Sequence, residues 1–184
     1  MDETLNWIKA RRSTRKFKAQ DVPQEALEAV LEAGIYAPSG KNVQATHFLV
    51  IRNKEILGKL AQLVREGFRE NGVAVAPDYT FHYNPNILII LCNRVDNTNN
   101  LADTGCALEN MMLEASALEL GSCWINQLRS LQQNDTINNY LFSLGMGQQE
   151  RVYGALALGY ADTETGLPEH TPRERTGNTV TYVN

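Results

Sequence analysis

The sequence predicts an α+β fold in which strands are separated by helices. Two patterns predict it: short apolar runs of strand length, and longer stretches where apolar residues return every three or four positions. The scale agrees, because 184 residues, 43% of them hydrophobic and 21% charged, are enough for one domain with a proper core.

Leu5 and Ile8 fit a short amphipathic helix running into Lys9, Arg11 and Arg12, and a turn follows over 13–18. Pro23 suits the first turn of a second helix. Ala26, Leu27, Val30, Leu31 and Gly34 keep helical spacing to about Tyr36, and Pro38-Ser39-Gly40 ends it. Residues 47–51 read as a buried strand. Ile56, Leu57, Leu60, Leu63 and Val64 give a third helix ending near Gly72, followed by an aromatic-rich irregular stretch over 79–84. Residues 86–92 form a near-continuous apolar strand, the pattern of the centre of a covered sheet.

Leu101, Gly105, Leu108, Met112, Ala115 and Leu118 form one helical stripe, and Ala107, Met111, Ala117 and Leu120 make the opposite side apolar too. A helix apolar on most faces is buried, in a core or between subunits. Gly121 is expected to stop it. A short strand over 122–125, a helix over 131–144 and a last core strand over 152–158 complete the pattern. The tail from Ala161 is polar, with Arg173 and Arg175 close to the end. With no repeat, low-complexity segment or linker, a single domain over 1–184 is expected, and the order of its strands is left open.

The net charge of −4 gives no global pull toward nucleic acid or anionic membranes, so an anionic ligand must be held by a local cluster of cations. No signal peptide is visible, and the longest apolar run, Ile87-Leu88-Ile89-Ile90-Leu91-Cys92, is far too short to span a bilayer. Three widely spaced cysteines, Cys92, Cys106 and Cys123, point to reduced thiols in a cytoplasmic protein.

Four segments offer chemistry. Arg11-Arg12-Ser13-Thr14-Arg15-Lys16 places cations and hydroxyls at a helix end, where guanidinium groups can hold a phosphate bidentately. The same run also fits a solvated basic turn. In Ala37-Pro38-Ser39-Gly40-Lys41-Asn42-Val43-Gln44, the side chains of Ser39, Asn42 and Gln44 suit a flat heteroaromatic ring with carbonyls and ring nitrogens, or simply close a connecting loop. Gly121-Ser122-Cys123-Trp124-Ile125-Asn126-Gln127 reads as a strand in which Cys123 is core rather than nucleophile. Pro172-Arg173-Glu174-Arg175 gains meaning only by folding back onto the first cluster.

Other chemistries lack their residues. His47, His82 and His170 are scattered without ligand-type spacing, so no metal is expected. Gly145-Met146-Gly147 resembles the start of a dinucleotide fingerprint, but Glu150 stands where the third glycine belongs. There is no Walker-type phosphate loop and no Gly-x-Ser-x-Gly elbow.

Taken together and in order, these segments resemble the FMN-dependent nitroreductase family. The likeness continues through Asp103-Thr104-Gly105-Cys106-Ala107-Leu108-Glu109-Asn110-Met111 and Leu120-Gly121-Ser122-Cys123-Trp124-Ile125, and it closes with Ala157-Leu158-Gly159-Tyr160 and the tail arginines. It implies a central, mostly antiparallel sheet flanked by helices, in an intertwined homodimer with two FMN sites at the interface.

The resemblance also implies roles. Arg11, Arg12, Ser13 and Arg15 would hold the FMN phosphate, ribityl chain and pyrimidine edge, with Arg173 and Arg175 closing on the phosphate. Pro38, Ser39, Gly40 and Asn42 would reach the flavin of the other subunit, and Gln44 belongs to the same binding loop. Asn126 and Gln127 match the segment whose backbone faces the reactive N5 edge. The activity implied is an NAD(P)H oxidoreductase that reduces nitroaromatics, quinones or flavins by ping-pong hydride transfer. No catalytic acid or base is assigned, because the cofactor carries the chemistry. Two alternatives on the same fold are a non-catalytic FMN storage or sensory protein and a reductive-dehalogenase-like relative. The chain departs from the family pattern at Ala45-Thr46, where many members have Pro-Trp, and at Asn126-Gln127, where longer relatives carry Glu-Gly.

Overall fold

The apolar runs pair into one sheet because their backbone groups, buried away from water, must bond to one another. The computed structural model describes residues 3–183, so the ends of the expected 1–184 domain lie outside the described residues. Its elements are α1 (Glu3–Ala10), α2 (Gln24–Ile35), β1 (His47–Ile51), α3 (Lys54–Glu70), β2 (Ile87–Arg94), α4 (Asn100–Ala117), β3 (Gly121–Ile125), α5 (Gln127–Ser130), α6 (Asp135–Ser143) and β4 (Glu150–Gly159). The strands form one sheet in the order β1-β2-β4-β3, antiparallel at every junction.

The period-two rule divides the core. Ile87, Ile89, Leu91, Leu156 and Leu158 face α2 and α4, meeting Leu27, Val30, Leu108 and Met111. Leu88, Ile90, Cys92, Ala155 and Ala157 face the other way, onto Leu57, Leu60 and Val64 of α3 and Ile137 and Leu141 of α6. The result is a sheet covered on both faces, with β2 buried from Ile87 to Asn93.

Two boundaries differ from the expected ones. α4 ends at Ala117, and Glu119, with φ 58°, takes the left-handed position after it. Glu119 N–H bonds Ser116 O and Leu120 N–H bonds Ala115 O, the pairing that closes a helix C-terminus. Gly121 therefore opens β3 rather than stopping the helix. The expected helix over 131–144 begins only at Asp135, because Asn134 caps it by accepting from Ile137 N–H at 3.0 Å.

Candidate functional site

The basic run is strung along the sheet's edge rather than left as a free turn. Thr14 N–H bonds Ser122 O at 2.8 Å, Lys18 N–H bonds Tyr160 O at 2.9 Å, and Asp162 N–H bonds Lys16 O at 2.9 Å. These bonds tie 13–18 to the start of β3 and the end of β4. Glycine at 121 permits the approach, since a Cβ there would stand 2.7 Å from the Thr14 methyl. Holding 160–162 against 16–18 also directs the polar tail back over the N-terminal arginines.

As a result, residues from both ends of the chain line one cavity of about 240 Å³: Arg11, Arg12, Ser13, Arg15, Glu169, Arg173 and Arg175. Arg12 is held below the ordinary arginine range, first by partial desolvation and then by repulsion from Arg175, Arg11 and Arg173. Its guanidinium bonds Ala10 O at 3.2 Å and also Lys9 O, so it closes the C-terminus of α1. Arg11 Nε lies 3.3 Å from Glu109 Oε1 without an aligned hydrogen bond and is otherwise a buried donor with no partner. Arg173 reaches Glu169 at 3.4 Å. The arrangement is a nest of crowded cations with hydrogen-bond capacity to spare, and a multiply charged anion would relieve it.

The Ala37–Gln44 stretch lies elsewhere. Pro38, Ser39 and Gln44 line a second cavity, of about 370 Å³, with Ile35, His47, Phe48 and Asp103. The loop is rigid by construction. Lys41, Asn42 and Gln44 have φ of 55°, 55° and 52°, in the left-handed region. Gln44 N–H bonds Ser39 Oγ at 3.0 Å, and Gln44 Nε2 bonds Asn42 Oδ1 at 2.8 Å. Gly40 N–H bonds Asp103 Oδ1 at 2.9 Å, and a Cβ on Gly40 would lie 2.1 Å from Asn99 Nδ2, so a larger residue there would displace the Asn99 amide.

Asn126 and Gln127 sit where β3 gives way to α5. Trp124 Nε1–H bonds Asn126 Oδ1 at 3.0 Å, and Asn126 N–H bonds Gln127 Oε1 at 3.1 Å. The Tyr79 phenol is pushed above the ordinary range by burial, against the opposing effect of the Gln127 side chain. The structure thus gathers the N-terminal and tail arginines. It leaves Pro38, Ser39, Gly40, Asn42 and Gln44 at a different surface, and Asn126 and Gln127 line neither cavity.

Four residues that sequence reasoning passed over enter the picture. Asp103, buried, fixes the Gly40 loop and lay inside a quoted motif. Glu169 lines the arginine cavity, and its i,i+4 spacing to Arg173 was a usable signal. Glu109 sits against Arg11 one turn beyond Gly105 on α4. Tyr83, whose ring lies 5.9 Å from the Arg15 guanidinium carbon, had no local signal at all.

The remaining candidates are structural. His47 Nδ1 lies 2.8 Å from Glu150 Oε2, which also accepts from Gly147 N–H at 2.7 Å. Glu150 therefore closes the Gly145–Gly147 turn onto β1, which no dinucleotide loop would do. Cys123 is buried behind Ser13 and Arg15, and burial raises its thiol above the ordinary range, as expected of a core cysteine. Among the described residues no group of three or more His, Cys, Asp or Glu side chains is placed to hold a metal, and no helix is long and apolar enough to cross a membrane.

The nitroreductase family model matches residues 8–160. A nitroreductase from Bacteroides fragilis, solved with bound FMN, matches with a TM-score of 0.90 at 35% identity over 100% of both chains. A nitroreductase with bound FMN from Desulfitobacterium hafniense matches over 100% of both chains with a TM-score of 0.85, and at 24% identity it speaks for the fold alone. The NADPH-flavin oxidoreductase of Vibrio harveyi is 28% identical over 184 aligned residues, covering 94% of this chain and 70% of that protein. The expected fold, helices around an antiparallel sheet, is the fold these proteins share.

Proposed function

The chain belongs to the nitroreductase family, and from that premise we propose that it is an FMN-dependent NAD(P)H oxidoreductase, working as a single domain over 1–184 within a homodimer. One observation carries the reading: Arg11, Arg12 and Arg15 meet Arg173 and Arg175 around one cavity. The residues fit a flavin mononucleotide. Its phosphate bears close to two negative charges near neutral pH, and five guanidinium groups, the Ser13 hydroxyl and the unpartnered Arg11 Nε–H can answer them. Sheer attraction by the whole protein is not available, because the net charge is −4.

When bound, FMN supplies two-electron chemistry between a nicotinamide and an acceptor. The chain's own residues bind and orient. Arg11, Arg12, Ser13 and Arg15 would hold the phosphate, ribityl chain and pyrimidine edge, with Arg173 and Arg175 closing on the phosphate. Pro38, Ser39, Gly40, Asn42 and Gln44, turned away from their own arginine cluster, serve the flavin of the second subunit. Asn126 and Gln127 would hold the ring's reactive edge through the backbone of their segment, at the junction of β3 and α5. α4, with Leu101 and Leu118 exposed in one protomer, forms the subunit contact.

NADH or NADPH and a small acceptor such as a nitroaromatic, a quinone or a free flavin occupy one slot in turn, so double-reciprocal plots run parallel. Intersecting lines would contradict the shared slot. Three unpaired thiols support a cytoplasmic location. The deciding experiment is optical. The purified protein, as isolated or after adding FMN, carries a flavin spectrum, and NADH or NADPH bleaches it without oxygen. A protein that takes up no FMN defeats the proposal, and one whose FMN resists both nicotinamides is a binding protein rather than an enzyme.

A further inference from the structure

The stretch between α3 and β2 looks irregular in sequence but is tightly held. Tyr83 and Asn84 have φ of 61° and 52°, two consecutive non-glycine residues in a region such residues seldom adopt. Strain of this kind persists only where the surroundings enforce it, and here they do. His82 is 2% exposed. Its Nδ1 stands 3.0 Å from Asn84 N, which can only donate, so Nδ1 accepts. Its Nε2 stands 3.2 Å from Leu57 O, which can only accept, so Nε2 carries the hydrogen. Both bonds together require the neutral imidazole. Burial, joined by Lys54 and Arg65, favours that form by lowering the imidazole's proton affinity, against the bond to Leu57. The segment is tied on either side: Arg65 Nη1 donates to Tyr79 O at 2.9 Å, and Lys54 Nζ donates to Pro85 O at 2.9 Å.

What this scaffold presents is a ring. Tyr83 is half-buried, and the Arg15 guanidinium carbon lies 5.9 Å from its ring centroid, within cation–π range. Arg15 itself is exposed and makes no hydrogen bond or ion pair among the described residues, so the Tyr83 face is the contact that orients it. We propose that His82 is a positioning residue for the flavin site: by accepting from Asn84 N–H it keeps Tyr83 and Asn84 left-handed, and this sets the Tyr83 ring beneath Arg15. His82 touches neither cofactor nor substrate and acts through Tyr83. The assignment rests on the reading of Arg15 as a flavin-holding residue.

The test is a double-mutant cycle on FMN affinity, read by quenching of flavin fluorescence. His82→Phe keeps the ring and removes the acceptor. It raises the FMN Kd by about threefold to tenfold when Arg15 is present, the span expected for loss of an oriented cation–π contact, and leaves it nearly unchanged in Arg15→Ala. His82→Asn, whose amide oxygen can take the place of Nδ1, stays within about twofold of the wild type. Adding Asn84→Gly to His82→Phe restores affinity, since glycine adopts the left-handed turn unaided. An equal loss with and without Arg15, or no loss with Arg15 present, overturns the assignment while leaving the functional reading intact. If His82→Phe does not fold, Tyr83→Leu replaces it in the same cycle with the same two outcomes. A wild-type protein that binds no FMN, or an Arg15→Ala variant that binds it undiminished, removes the functional reading and this assignment with it.

Discussion

Asp103 offers the sharpest single test of how the loop over 37–44 is held. Its Oδ1 accepts from Gly40 N–H at 2.9 Å, and its Oδ2 accepts from Asn97 Nδ2 at 3.0 Å, at a site only 5% exposed. The Asn97 amide cannot turn over, because its Oδ1 accepts from Asn99 N–H at 3.0 Å and its Nδ2 also serves Asn93 Oδ1 at 3.1 Å. Asp103→Asn therefore keeps the bond to Gly40 but sets an amide donor against the Asn97 donor. The Asn97 donor loses its acceptor and the new amide faces it unpaired at a part-buried site, which costs about 2 kcal/mol, within the range for unsatisfied polar groups. Asp103→Ala strands both donors and costs about 4 kcal/mol on the same basis.

At about 2–4 °C per kcal/mol for a chain of this size, the Asn variant melts roughly 4–8 °C lower and the Ala variant about twice that. Scanning calorimetry of the FMN-free protein measures the shift, and flavin titration should show weaker binding in both variants because Gly40 and Asn42 lose their anchor. An Asn variant that melts with the wild type would mean that the loop is not held from α4, and the network would have to be redrawn.

Three further outcomes follow. Arg15→Ala weakens FMN binding by about 10- to 100-fold, as expected for a charge-assisted contact worth about 1.5–3 kcal/mol, and a dimer mixed from Arg15→Ala and Asn42→Ala chains regains one intact site, read by stoichiometric titration. His82 is held neutral by burial, so the unfolded chain protonates first, near pH 6.5. Stability against denaturant is then unaffected by this residue above that pH and falls as the pH drops below it, and His82→Phe flattens that part of the curve. A thiol reagent under native conditions leaves Cys92 and Cys123 unmodified, because burial raises their thiols and shields them; prompt reaction of either would contradict the packing.

Much of this molecule is written in local pattern. The strand over 47–51, the near-continuous apolar run of β2 and the largely apolar α4 follow from periodicity, because burial on one face or two leaves its mark every second or every third to fourth residue. The boundaries that went astray depended on caps of a few atoms. Asn134 starts α6 late, and Glu119 takes the left-handed position a glycine was expected to fill. The segments with chemistry were also visible, since arginines, hydroxyls and amides in short runs stand out from a solvated surface by density alone.

Only the tertiary structure decided what those segments meet. Nothing in Arg173 or Arg175 points to Arg11. They come together because 16–18 pairs with 160–162 at the edge of an antiparallel sheet, whose order β1-β2-β4-β3 is set by long-range hydrogen bonding rather than by neighbouring residues. Tyr83 lies beneath Arg15 for a similar reason: a histidine bonded to α3 holds Tyr83 and Asn84 in a left-handed backbone that the tyrosine side chain disfavours. Side-chain type fixes what a residue can bond and burial pattern fixes which way it faces. Partners separated by most of the chain are chosen by the arrangement that pairs the buried backbone of the sheet while packing both of its faces.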